Sequence, residues 1–256
     1  MTDGLDGSGN GTIIQGLKEW ADEKELLVFN LIEYCKKNKE LPFYEEVKDY
    51  DVILSAEPTY AWFGLAVRNE IVRKKDYSFS ALSTAHAYSL DREVLFRRVL
   101  APFINKGGFV FQQRGVVTSL AYQPVQSRFQ REKAINFDEI MNMFGNKFVL
   151  DNYPPDLLIF TKCSAEICLE RIAKREKQDD SFFEELNFQK ELAKIYASEW
   201  FRNIFEKRGT TVMYLDTNPP STEADTRKMA KRILREYITK TYPGKISSMQ
   251  TILEQQ

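Results

Sequence analysis

Gly4-Leu5-Asp6-Gly7-Ser8-Gly9-Asn10-Gly11-Thr12 gathers four of the twelve glycines of the chain into nine residues. From Thr12 onward, Ile13, Ile14, Leu17 and Trp20 follow the spacing of an amphipathic helix. A glycine-rich turn that opens a helix points several backbone N–H groups at one place. The helix dipole favours negative charge there, so the stretch suits a phosphate. Its spacing follows G-x-x-x-x-G-K-[ST], with an extra glycine before the hydroxyl residue. Asn10 stands at the lysine position, however, and only three residues precede Gly4. A flexible glycine-rich start is therefore the competing reading.

Strands and helices alternate after this stretch. Short apolar runs at Val52-Ile53-Leu54, Phe109-Val110-Phe111 and Leu157-Leu158-Ile159-Phe160 lack polar alternation, as do strands covered on both faces. A fourth strand is expected over Thr211–Leu215. Helices are expected over 24–38, 61–73, 80–105 (stopped by Gly107-Gly108), from Thr118, over 136–144, 165–176 with Ser164 as cap, 183–207, and 222–239 capped by Ser221. The polar stretch 177–181 reads as loop, and the tail beyond Pro243 as loose. This order implies an α/β fold, a parallel sheet flanked by helices in three layers. Residues 1–256 carry no linker that would divide them, so one domain is expected. In such sheets ligands bind beyond the carboxyl ends of the strands, which draws attention to Glu57, Arg114 and the loop after Phe160.

Totals narrow the chemistry. A net charge of -1 gives no basic field for nucleic acid, so an anion site needs a local group of arginines. Three cysteines match no disulfide framework or zinc spacing, and the single histidine, His86, cannot build a histidine metal cage. No apolar run reaches membrane-spanning length and no signal peptide is recognisable, so the cytoplasm is the expected compartment.

Taken together, the strand-end motifs resemble the thymidylate kinase family of P-loop nucleoside monophosphate kinases, from Gly4 to about Ile238. The glycine stretch is similar to G-x-D-G-x-G-K-[GTS]-T. Glu57-Pro58-Thr59-Tyr60 with Gly64 and Arg68 is similar to E-P-x-x-x-x-x-G-x-x-x-R. Asp91-Arg92 resembles A-D-R, with Leu90 for alanine, and Arg114 to Gln123 resembles D-R-Y-x-x-S-x-x-A-Y-Q. Pro155-Asp156-Leu157 and Leu169-Glu170-Arg171-Ile172 match the P-D-L strand and the L-E-R-I helix before the lid.

The resemblance implies a P-loop NTPase fold with a truncated first strand and a lid around 171–183. It also implies transfer of the γ-phosphoryl group of ATP to dTMP with Mg2+, and a homodimer. By the same carry-over, Gly4, Gly7, Ser8, Gly9, Asn10, Gly11 and Thr12 hold ATP. Arg68 and Arg114 grip the acceptor phosphate, a task suited to planar guanidinium groups. Tyr88 stacks on the pyrimidine, Arg92 donates to a base carbonyl, and Glu57, Thr118, Tyr122 and Gln123 complete the acceptor side. Tyr122 reads equally well as core. Asp6 is a carboxylate near the magnesium region or simply a turn former. Arg171 and Arg175 lead into the lid and reach the transferring phosphates, or only form a solvated face.

Asn10 and Gln113, the latter in place of an acidic residue, depart from the pattern, as do Gly115 and Lys162. They leave open a catalytically impaired nucleotide-binding homologue, or a kinase for another monophosphate.

Overall fold

The computed structural model describes residues 1–73, 75–174, 183 and 185–242. Six strands form one parallel sheet: β1 (Thr2–Asp3), β2 (Val28–Asn30), β3 (Val52–Ala56), β4 (Phe109–Gln113), β5 (Leu157–Lys162) and β6 (Thr211–Asp216). Their spatial order is β2-β3-β4-β1-β5-β6, so the short first strand lies inside the sheet. Thr2 pairs with both Gln113 and Ile159, and Asp3 with Phe160. The helices are α1 (Asn10–Glu23), α2 (Leu31–Asn38), α3 (Trp62–Ala66), α4 (Ala81–Leu95), α5 (Ala101–Asn105), α6 (Val116–Phe129), α7 (Phe137–Met141), α8 (Phe144–Asn152), α9 (Ala165–Ala173), α10 (Leu186–Tyr196), α11 (Glu199–Glu206) and α12 (Glu223–Thr241).

Successive strand residues face opposite sides, and both sides are apolar. Val52, Leu54, Leu157 and Ile159 pack with Ile13, Leu17 and Trp20 of α1 and Ile233 and Leu234 of α12. Ile53, Leu158 and Phe160 pack with α4, α6, α10 and α11 through Leu95, Leu120, Leu192 and Phe201. Two cores separated by a sheet give the three layers, and the uninterrupted apolar runs of the strands follow from burial on both faces.

Four expected elements are corrected. The helix expected over 24–38 is interrupted by β2: the Asp51 carboxylate accepts from Leu27 N at 2.7 Å, and Asn30 caps α2 by accepting from Glu33 N at 3.1 Å. The helix expected over 136–144 stops at Met141, and a second helix, α8, follows it. The helix expected over 183–207 breaks between α10 and α11, where the Ser198 hydroxyl turns back to Ile195 O at 2.6 Å. Thr222, not Ser221, caps α12, accepting from Asp225 N at 3.2 Å. The loop expected at 177–181 and the tail beyond Pro243 lie outside the described residues.

Candidate active site

The carboxyl ends of β1, β2, β3, β4 and β6 open into one cleft of ≈1540 Å³. Its floor is the turn between β1 and α1. Gly7 (φ 79°) and Gly9 (φ 97°) occupy the left-handed region that favours glycine. Gly9 is the N-cap of α1 and supplies no side-chain cap. A 14-residue helix thus starts at the cleft with its first amides free of a side-chain partner, a setting that fits a phosphate.

Asn10 does not reach out as a lysine would. It is buried, accepts from Thr2 Oγ1 at 3.0 Å, and aims its amide at Ser8 Oγ (3.3 Å) and Leu5 O (3.4 Å). It braces the turn from within. Ser8 is fully buried and shares a hydrogen bond with Thr161 Oγ1 at 2.5 Å, closing the turn against β5.

Arg114 follows β4 with φ 64°, an uncommon backbone state for a non-glycine residue, of the kind that clusters at functional sites. Its guanidinium donates to Asp6 Oδ1 at 2.6 Å and to Gly4 O at 3.1 Å, and lies 3.6 Å from Asp3 Oδ1. Tyr122 OH donates to Asp6 Oδ2 at 3.2 Å, and Thr118 Oγ1 to Asp3 Oδ2 at 2.7 Å. Asp3 also accepts from Tyr196 OH and Gly4 N, at 2.7 and 2.8 Å. Burial pushes the Asp3 carboxyl above its ordinary value despite Arg114. This carboxylate ties the glycine turn, α6 and α10 together, and sequence reasoning passed over it. The signal was present: an acid directly before the glycine turn, where β1 ends.

On the opposite wall Arg68 is fixed by the 57–60 turn. Its Nε donates to Pro58 O and Thr59 O at 2.9 and 3.1 Å, Nη2 also donates to Pro58 O, and the guanidinium lies 3.8 Å over the Tyr60 ring. Tyr88 faces the cleft from α4, its hydroxyl pushed up to about 12 by burial.

Arg92 is different. Although four residues from Tyr88, it is fully buried behind the wall. It pairs with Glu57 Oε2 at 2.6 Å, donates to Ser119 Oγ at 3.2 Å, and also donates to Asn146 Oδ1. Asp91 beside it accepts from Thr59 N and Oγ1, each at 2.7 Å. The Asp91-Arg92 pair thus braces the Glu57–Thr59 turn from behind. Burial outweighs the pull of Arg92 and moves the Glu57 carboxyl up to about 7.

Of the expected site residues, the cleft brings together Asp6, Gly7, Gly9, Asn10, Gly11, Thr12, Glu57, Arg68, Tyr88, Arg114, Thr118, Tyr122 and Arg171. Gly4, Ser8, Arg92 and Gln123 stand behind its walls. Arg175 lies outside the described residues, as does most of the lid expected at 171–183. Arg171 is anchored by Nη2 to Thr217 O at 2.6 Å, and Thr217 Oγ1 in turn donates to Ser8 O at 2.8 Å. Thr217, with Thr222 and Thr226 of the α12 region, adds a wall that sequence reasoning did not single out.

The sequence pattern of the family described as Thymidylate kinase matches residues 43–226. The chain belongs to the thymidylate kinase family. The Clostridium novyi (strain NT) thymidylate kinase is 26% identical over 220 residues, which covers 85% of this chain and 89% of that one. The thymidylate kinase of Geobacillus sp. (strain WCH70) is 26% identical over 178 residues, 69% and 79% of the two chains. The solved structure of Candida albicans thymidylate kinase, described as revealing the origin of broad substrate specificity, superposes with a TM-score of 0.60 at 18% identity. It covers 92% of this chain and 89% of that chain, so the family's fold extends over nearly all of this one. Family membership makes the chain a nucleoside monophosphate kinase of the thymidylate kinase type. Among the described residues no helix is long and apolar enough to cross a membrane.

Proposed function

We propose that the chain transfers the γ-phosphoryl group of ATP to the 5′-phosphate of dTMP, giving ADP and dTDP. The observation that carries this reading is convergence: Arg68, Tyr88, Arg114, Thr118 and Tyr122 line the same cleft as the glycine turn at the start of α1. Phosphoryl transfer needs positioned charge more than a protein nucleophile, since an acceptor phosphate oxygen attacks the γ-phosphorus and ADP leaves. The turn amides and α1 take the donor phosphates, with Arg171 beside them and Arg175 following in the sequence. Arg68 and Arg114 take the acceptor phosphate, Tyr88 the pyrimidine, and Thr118 and Tyr122 the sugar side. Asp6 keeps the Arg114 guanidinium aimed at the cleft.

Among the described residues no group of three or more His, Cys, Asp or Glu side chains is placed to hold a metal. That fits Mg2+ arriving on the nucleotide's phosphates, with Asp6 as the cleft carboxylate near it. When bound, the ion offsets the charge of the phosphate oxygens. The same reading places a homodimer in the cytoplasm. The dimer rests on the family likeness alone.

A coupled assay of ADP release tests the activity. dTMP should stimulate release in the presence of ATP and Mg2+; no release above background with any natural nucleoside monophosphate overturns it. A second reading is a nucleotide-binding homologue without turnover. It is supported by the inward amide of Asn10, which leaves the glycine turn itself without a lysine charge, and by Gln113. It expects dTMP to raise the melting temperature with no ADP released, and Asn10→Lys to restore turnover.

A further inference from the structure

Asn10 turns its amide into the glycine turn, onto Ser8 and Leu5, so the turn offers donor phosphates backbone amides and no cation. Phosphoryl transfer calls for one. As the γ-phosphorus leaves the bridging oxygen of ADP for the acceptor oxygen, the bond electrons and negative charge pass to the β-phosphate. Among the described residues, the lysines that line the cleft are Lys18, Lys36, Lys39 and Lys174. Three of them are engaged elsewhere. Lys18, about two turns beyond Asn10 on α1, pairs with Asp22 at 2.7 Å. Lys36 of α2 pairs with Glu33 at 2.8 Å and lies over the Tyr60 ring that Arg68 also covers, on the acceptor wall. The Lys39 ammonium donates to Lys36 O at 2.6 Å.

Lys174 is placed differently. It caps the carboxyl end of α9, one helical turn after Arg171, with its backbone N–H donating to Glu170 O at 3.3 Å. This helix lies directly on the glycine turn. A Cβ built on Gly7 would stand 2.4 Å from the Cys168 carbonyl oxygen and 3.1 Å from Ile172 Cγ1, and Ile172 is two residues before Lys174. Thr217 ties the same helix to the same turn: its carbonyl accepts from Arg171 Nη2 at 2.6 Å, and its hydroxyl donates to Ser8 O at 2.8 Å. Lys174 thus enters the cleft from a helix end packed on the turn. It is exposed, and its ammonium has no hydrogen bond or ion pair among the described residues.

We propose that Lys174 supplies from α9 the cation that the glycine turn lacks at Asn10, its ammonium meeting the β- and γ-phosphate oxygens of the donor. A lysine ammonium is a compact point charge with three donors on a flexible stem, so it can follow the charge as it shifts from the γ- to the β-phosphate. The two roles of a loop lysine are then divided. Asn10 braces the turn through Ser8, which in turn meets Thr161 at 2.5 Å, and the charge arrives from the helix packed on Gly7. This inference rests on reading the turn as the donor site. A lysine at the carboxyl end of a helix also offsets the helix dipole, and that role alone would leave ATP untouched.

The test compares wild type, Lys174→Met, Lys174→Arg and Lys18→Met in the full chain. It uses steady-state kinetics with ATP, Mg2+ and dTMP, and thermal unfolding with and without ATP and Mg2+. Lys174→Met should lose about 10²–10³-fold in kcat/KM for ATP, the usual cost of one aimed donor, while KM for dTMP and the unliganded melting temperature stay unchanged. Lys174→Arg, which keeps the charge, should recover most of that loss, and Lys18→Met should match the wild type. ATP should stabilise Lys174→Met less than it stabilises the wild type. Wild-type ATP kinetics in Lys174→Met, or a lower unliganded melting temperature as its only change, overturns the proposal. A loss in Lys18→Met instead does the same. If the wild type shows no turnover with any nucleoside monophosphate, the kinase reading fails by itself. Equal stabilisation of wild type and Lys174→Met by ATP then overturns this inference separately.

Discussion

Replacing Arg92 with methionine separates a brace from a base contact. The guanidinium is fully buried and holds Glu57 at 2.6 Å, Ser119 at 3.2 Å, and Asn146. Methionine keeps much of the volume but leaves the Glu57 carboxylate with Gln112 Nε2, at 2.7 Å, as its remaining hydrogen-bond donor. Breaking a buried pair by removing one partner costs about 3–5 kcal/mol, or on the order of 10 °C in Tm for a chain of this size. Glu57 has one escape: with its carboxyl already at about 7, it can take up a proton. Each pH unit above that value makes the escape dearer by about 1.4 kcal/mol, so the loss should shrink from pH 8 to pH 6. Glu57→Gln removes the stranded charge. The double variant should therefore lose less than the sum of the singles, by about 1–3 kcal/mol. Urea unfolding of the four proteins at pH 6 and pH 8, with KM for dTMP measured in parallel, gives the answer. An Arg92→Met protein as stable as the wild type, with KM for dTMP raised tenfold or more, would show that the guanidinium faces the nucleotide and would refute the brace.

Other consequences follow from the same geometry. Arg114→Met should cut kcat/KM for dTMP by about 10²–10³-fold, the usual cost of deleting one aimed charged donor; an unchanged value separates Arg114 from the acceptor phosphate. Gly7→Ala, at φ 79° and against the Cys168 carbonyl, should cost about 1–3 kcal/mol in thermal unfolding and raise KM for ATP; wild-type stability would mean the turn is not packed on α9. The Glu57 carboxyl binds its proton more tightly folded than unfolded, so its share of stability is whole below pH 4.5 and fades as pH rises to about 7. The stability difference between wild type and Glu57→Gln should accordingly fall by about 3 kcal/mol across that window; a difference flat in pH would place Glu57 outside the buried pair.

Much of the fold was legible because burial on both faces leaves a mark in one dimension: Val52–Leu54 and Leu157–Phe160 carry no polar alternation. The edge strand β2 was not. Leu26, Leu27, Leu31, Ile32 and Cys35 keep helical spacing across it, and what breaks the helix is a carboxylate 24 residues away, Asp51. Within the site, residue type and spacing located the cleft-lining arginines but not their depth. Tyr88 and Arg92 are one helical turn apart, yet one lines the cleft and the other is sealed against Glu57, a difference set by α6 and α8 packing on α4. The position of Asp3 before the glycine turn was legible, but its bracing role was not, since its partner Tyr196 lies 193 positions away. Asn10 was recognised as a missing lysine, but its inward hydrogen bonds emerge only once β1 and the turn are folded together.

A structure determined with dTMP and a non-hydrolysable ATP analogue tests the two-nucleotide cleft most directly. The account requires the dTMP phosphate within hydrogen-bond distance of Arg68 and Arg114, and the β-phosphate of the analogue on the turn amides of Gly7–Thr12. A dTMP phosphate held elsewhere, or a glycine turn that binds no phosphate while dTMP is in place, would contradict it.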